Sequence, residues 1–190
     1  GSDEPNVRLK IDCKPIGEVK DVTTADYRPR GCTPLYDAIG WSVNYLAGKV
    51  EDGDSVLVTI VTDGYENASV EYGAASVKKL VDAYTGKGWV FTYIGANQDS
   101  KDVSGKLGIQ FSMDFAQDEV GTKMMWDKMN SSRMSYYKRA ERRFMGETVA
   151  ENDFFCEMTM GDRVTPEVVT ALGEGQVFVF GTDINGTYCC

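Results

Sequence analysis

Residues 55–67 read SVLVTIVTDGYEN. The run from Ser55 to Thr62 is apolar and β-branched almost throughout, and it ends in Asp63 and Gly64. A strand without apolar–polar alternation is one covered on both faces, as in the middle of a parallel sheet. In open sheets of that kind, ligands bind at the carboxyl ends of the strands. Asp63 therefore stands where a carboxylate faces a ligand crevice. An Asp-Gly pair after a strand also makes ordinary turns, so the carboxylate reads either as part of a site or as punctuation.

Outward from this stretch the same alternation of elements continues. Thr33-Pro34 is a helix-start signal, with threonine as N-cap and proline at the first helical position. Leu35, Ile39, Val43 and Leu46 form the apolar stripe of that helix, and Gly48 is a plausible stop. Residues 63–73 are expected to be a loop. Ala74–Tyr84 has helical spacing through Val77, Leu80 and Val81, closed by Gly86 and Gly88. Trp89–Ile94, WVFTYI, predicts a second buried strand. A short helix is expected over Ser100–Leu107, a third strand over Ile109–Met113 and a long helix over Gln117–Phe144, packed on the sheet by its apolar stripe. Upstream, VRLKID at Val7–Asp12 alternates apolar and charged residues and predicts an edge strand. Residues 14–31 are expected to be a loop with at most a short helical piece near Ile16–Val22.

Strands alternating with helices predict an α/β fold: a Rossmann-like, open, mostly parallel sheet flanked by helices. The domain reading is residues 1–146 for this unit and 147–164 for an acidic linker, with a short segment around Phe154–Met158. Residues 165–190 then form the start of a second domain or a docked strand, with a helix from Thr165 to about Leu172 and a strand at Val177–Phe180.

Composition narrows the function classes. The chain has 190 residues, 42% of them apolar, which suits one domain with a real core, or one domain and a fragment of another. No run of about 18 apolar residues is present, so no membrane span is expected. The net charge of −9 favours cations or basic partners and disfavours a nucleic-acid surface over the whole domain. With no histidine, Ser-His-Asp and Cys-His catalysis drop out. Cys13, Cys32, Cys156, Cys189 and Cys190 include no C-x-x-C pair, so neither a zinc site nor a disulfide framework is expected. Free thiols, with no secretory signal pattern, point to the cytoplasm.

Asp63 after its strand and Thr33 at a helix start would lie at the same end of one sheet. Such hard oxygen ligands suit Mg²⁺, Mn²⁺ or Ca²⁺. Asp37, Glu66 and Asn67 stand near the rim. Asp37 reads equally as a first-turn residue favoured by the helix dipole, and Glu66 and Asn67 as turn residues. An enzymatic reading would use Asp63 and Glu66 as a carboxylate pair for metal-assisted hydrolysis, but no phosphate loop or activated nucleophile accompanies them. A nucleic-acid reading would use the helix over 123–143, which holds seven basic and two acidic residues.

The segments DYRPRGCTPLYDAIG, TDGYENAS and WVFTYIGANQD together resemble the von Willebrand factor type A domain, in its bacterial and phage form, over roughly residues 7–145. The resemblance implies a protein-interaction module rather than an enzyme. It also implies a metal-ion-dependent adhesion site at the top of a doubly wound sheet, holding Mg²⁺ or Mn²⁺, with a partner protein's acidic side chain completing the coordination. Thr33 matches that family's second motif and Asp63 its third. The first motif, D-x-S-x-S, has no counterpart ahead of Thr33; its strand would precede Val7, and the chain is expected to be a fragment lacking it. Asp183-Ile184-Asn185-Gly186-Thr187 imitates that motif after an apolar strand, and a circular permutation would bring it beside Thr33 and Asp63. The alternative, which is favoured, is that residues 165–190 resemble the opening of a phage-associated second domain.

Overall fold

The computed structural model describes residues 7–20, 23, 31–149, 154–155, 177–182 and 187–189. Its strands are β1 (Lys14–Pro15), β2 (Leu57–Thr62), β3 (Val90–Ala96), β4 (Phe111–Phe115), β5 (Val177–Thr182) and β6 (Thr187–Cys189). Its helices are α1 (Leu35–Ala47), α2 (Ala74–Thr85), α3 (Ser100–Lys106) and α4 (Glu119–Phe144), with one 3-10 turn at Ile16–Glu18. The fold is α/β, built on one open sheet in the order β1-β6-β5-β2-β3-β4.

The expected parallel core is present. Leu57 pairs with Val90 and Thr62 with Gly95, while Thr92 pairs with Phe111 and Ala96 with Phe115. The crossovers through α2 and α3 move in the same direction across the sheet, and connections of one hand then place both helices on one face. Val56, Val58, Ile60, Phe91 and Tyr93 turn to that face and pack with Leu35, Ile39 and Val43 of α1 and with Val77 and Val81 of α2. Leu57, Val61, Ile94 and Ala96 turn to the other face, against Met125, Met129 and Tyr136 of α4 and against Phe154 and Phe155. Helices on both faces explain why residues 56–61 carry no solvated side: each fully buried Val, Leu or Ile contributes roughly 1.5–3 kcal/mol. The two polar residues facing α4, Thr59 and Thr92, satisfy each other through a 3.1 Å hydroxyl hydrogen bond.

Several expectations change. Val7–Asp12 forms no strand; its residues alternate half-buried and exposed, and the edge pairing falls instead on Lys14 and Pro15, opposite Tyr188 and Thr187. The third parallel strand starts two residues later than expected, because Ile109 is spent closing α3, its N–H donating to the Ser104 carbonyl. Thr33 is not the N-cap of α1: Pro34 takes that place, with no side-chain cap of its own. Cys13 is disulfide-bonded, which overturns the expectation that the thiols are all free and removes that premise for a cytoplasmic location. Cys32 is a free, exposed thiol. Among the described residues no helix is long and apolar enough to cross a membrane.

The C-terminal strand pairs with β2 in the opposite sense to the permuted arrangement. β5 runs antiparallel to β2, with Val177 opposite Thr62 and Thr182 opposite Leu57. Its carboxyl end is therefore displaced from Asp63 by six residues along β2, about 20 Å. A circular permutation needs a parallel strand here, so that route to a completed site is closed. Thr187 lies in β6, opposite Pro15. Asp183 and Asn185, the expected helix over 165–172 and most of the linker lie outside the described residues.

Candidate functional site

The site predicted from sequence falls at the carboxyl end of β2, where the loop 63–73 meets the start of α1. Thr62 closes the first turn of this loop: its hydroxyl donates to the Gly64 carbonyl at 3.0 Å and accepts from the Gly64 N–H at 3.2 Å. Thr33 and Asn67 then clasp each other. The Thr33 N–H donates to Asn67 Oδ1 at 2.7 Å, and the Asn67 N–H donates to the Thr33 carbonyl at 3.1 Å. This clasp brings Thr33, only 1% exposed, onto the loop that Asp63 begins.

Glu66 and Asp37 fasten the two segments more tightly. Glu66 Oε2 accepts from the Tyr36 N–H at 2.9 Å and the Ser69 hydroxyl at 2.6 Å, while Oε1 accepts from the N–H groups of Ala68 and Ser69. The Ser69 hydroxyl oxygen accepts in turn from the Asp37 N–H. The first turn of α1 is thus capped from thirty or more residues away, which is why Thr33 need not cap it. Burial works to raise the Glu66 carboxyl pKa, but the hydrogen bonds from Ser69, Tyr36 and Ala68 outweigh it, and the net direction is below the ordinary glutamate value. Asp37 is 4% exposed and accepts from the N–H groups of Val70, Glu71 and Tyr72 at 2.8–2.9 Å. Where these bonds seat the loop, the Tyr72 ring lies so closely over Gly40 of α1 that a β-carbon there would clash with it. Glu66, Asn67 and Asp37 were expected at the rim. They are there, and their polar groups are engaged in building it. Glu66 is turned to the α1 N-terminus, so the hydrolytic carboxylate pair with Asp63 has no support from these contacts.

Asp63 has a different environment. It is half-buried, and its Oδ2 accepts from Gln117 Nε2 at 3.3 Å. Gln117 Oε1 accepts from Asn97 Nδ2, also at 3.3 Å, and the Asn97 N–H donates to the Phe115 carbonyl. Below them Gln98, buried, accepts from the Tyr93 hydroxyl at 3.2 Å and donates to the Thr62 carbonyl at 3.4 Å. Burial pushes the Tyr93 phenol up, the nearby Tyr65 and Tyr36 adding to the effect, so it remains a proton donor to Gln98. The sequence reading missed Asn97, Gln98 and Gln117. Their signal was positional: each follows the carboxyl end of β3 or β4, at the end of the sheet where Asp63 lies, and Asn97 takes the left-handed backbone (φ 50°) that asparagine tolerates in tight turns.

As a cation site, Thr33 and Asp63 supply oxygen atoms of the right hardness. Among the described residues, however, no group of three or more His, Cys, Asp or Glu side chains could hold a metal ion. A Mg²⁺ ion takes about six oxygen ligands, so most of its shell would come from water or from a bound partner. Compared with known proteins, the chain matches no protein-family profile, no curated protein and no solved structure.

Proposed function

We propose that this chain is a protein-binding module whose partner engages the carboxyl end of the parallel sheet at Asp63, with Thr33 beside it. The observation that carries the reading is the direction in which the carboxylates at this end of the sheet are turned. Those of Glu66 and Asp37 accept backbone donors that fix the loop to α1, while the half-buried Asp63 reaches to Gln117 Nε2, beyond the carboxyl end of β4, at 3.3 Å. A rigid loop binds with little ordering cost, because its conformation is set beforehand. The likeness of the Thr33 and Asp63 segments to von Willebrand factor type A domains supports the same end of the sheet. On that likeness, a Mg²⁺ or Mn²⁺ ion would rest on Asp63 and Thr33, and an acidic side chain of the partner would complete its shell. The ion would act as a bridge between two carboxylates that otherwise repel.

Calorimetric titration with Mg²⁺ and Mn²⁺ tests this. Saturable heat with the intact chain, lost in Asp63→Ala and weakened in Thr33→Ala, is the expected result. No heat from the intact chain would remove the cation from the proposal. Heat unchanged in Asp63→Ala would place the ion elsewhere.

A further inference from the structure

β4 is the last strand of the sheet. It meets β3 in parallel, with Ala96 opposite Phe115. The Phe115 carbonyl accepts from the Asn97 N–H, so it points toward β3. Backbone groups of successive residues turn to opposite edges of a strand. Those of Phe111 and Met113 therefore also point inward, and those of Ser112 and Asp114 point outward. Among the described residues no backbone hydrogen bond reaches the outward groups. Soluble proteins blunt such an edge with lysine, proline or a bulge. Phe111–Phe115 holds neither lysine nor proline, and its ladder to β3 runs through without a bulge. A groove of about 390 Å³ lies along this edge beside α3, lined by Lys101, Gly105, Ile109, Phe111 and Ser112.

This edge is complementary to itself. A strand that pairs antiparallel with its own copy does so about a two-fold axis. With that axis at Met113, Ser112 lies opposite Asp114 of the second copy. Their outward N–H and carbonyl groups then bond in exchange, as in a hydrogen-bonded antiparallel pair. The same register brings the second copy's Asp114, which is exposed, to the mouth of the groove that Lys101 lines, so carboxylate meets ammonium on both sides of the axis. On the other face the two Met113 side chains meet at the axis. Met113 is half-buried and belongs to the apolar face beneath α4.

We propose that this chain pairs with a second copy of itself, β4 against β4, joining two sheets into one across a two-fold axis at Met113. The occupant is a second copy rather than an unrelated strand because both charges and both halves of the ladder sit on the one edge. Antiparallel pairing points the carboxyl ends of the two β2 strands away from each other. On the function proposed above, the pair would hold two partners at opposite ends, but the pairing itself does not rest on that function.

Sedimentation equilibrium of the intact chain tests the pairing, with the exposed Cys32 thiol alkylated so that no intermolecular disulfide contributes. A reversible monomer–dimer equilibrium is expected, and a monomer at millimolar concentration would overturn the proposal. Ser112→Pro removes an outward N–H at an edge position where proline is tolerated. It should therefore keep the circular dichroism of the natural chain and sediment as a monomer. Lys101→Glu, at an exposed helix position, sets like charges together and should weaken dimerisation roughly tenfold without changing the fold. A dimer as tight in either variant as in the natural chain would refute pairing through this edge.

Discussion

Asp37 holds the loop 63–73 in place. It is buried, and its carboxylate takes the N–H groups of Val70, Glu71 and Tyr72. Removing it strands those donors, and an unsatisfied buried donor costs roughly 1–3 kcal/mol. Asp37→Ala is therefore expected to lose about 3–5 kcal/mol in urea denaturation, the exact loss depending on how much water reaches the freed groups. Asp37→Asn, which keeps an acceptor oxygen, should lose less; equal losses would show that charge rather than acceptance matters. Glu66 gives a pH signature. Its folded pKa lies below the ordinary value of 4.5, so its contribution to stability is present above that value and is lost as pH falls through the folded pKa. As pH falls from about 4.5 through the folded pKa, the natural chain should lose stability faster than Glu66→Gln, and parallel stability curves would refute it. At this scale the sequence placed the carboxylates at the right end of the sheet but not their roles. The groups that decide those roles are mostly backbone donors thirty or more residues away, and no local pattern encodes them.

The elements of the parallel core were legible because each is specified by its own residues. The buried run of β2 and the stripe of α1 are local periodicities, and observed boundaries differ from expected ones by about two residues, the usual fraying of element ends. The direction of β5 was not legible. An apolar run such as VFVF fits an antiparallel pairing as well as a parallel one, and the choice depends on which edge is open and on the path of the chain. Val7–Asp12 failed for a related reason: alternation describes a half-buried extended segment whether or not a strand stands beside it. The importance of β5 can be measured. It covers the whole length of β2 with a six-residue ladder. Removing residues 177–190 uncovers the backbone of β2, leaving an apolar open edge prone to self-association. At roughly 1 kcal/mol per backbone bond, the truncated chain should be less stable by on the order of 5 kcal/mol. It should also sediment as a mixture of oligomers. A monomer of unchanged stability would show that β5 is dispensable.

On the scale of the whole molecule, carboxylates gather where the helices begin, and along α4 the charge changes sign. All four helices begin at the end of the sheet where β2, β3 and β4 finish, as the connections require. Residues 31–34, 63–73, 97–99 and 114–119 at that end hold seven carboxylates and no Lys or Arg. Two of these cap helices directly: Asp99 accepts from the Asp102 N–H, and Asp118 from the Gly121 N–H. At the far end of α4 stand Lys138, Arg139, Arg142 and Arg143. Each arrangement matches the helix dipole, positive at the start and negative at the finish. This gives the basic end of α4 a structural role, and the acidic end surrounds Asp63 with the sign of charge that the proposed cation requires. The field account makes a prediction that packing does not. Arg142 pairs with Glu147 at 2.7 Å, but both side chains are about half exposed, so the pair itself is worth little. Replacing Arg142 and Arg143 with glutamate puts like charge on the negative helix end, at a cost of about 1–2 kcal/mol in low salt. Because screening shortens the reach of exposed charges, that loss should shrink severalfold in molar salt, as followed by urea denaturation at both ionic strengths. A loss independent of salt would mean that the arginine stems stabilise α4 by contact, and that the polarity of the molecule is incidental to its stability.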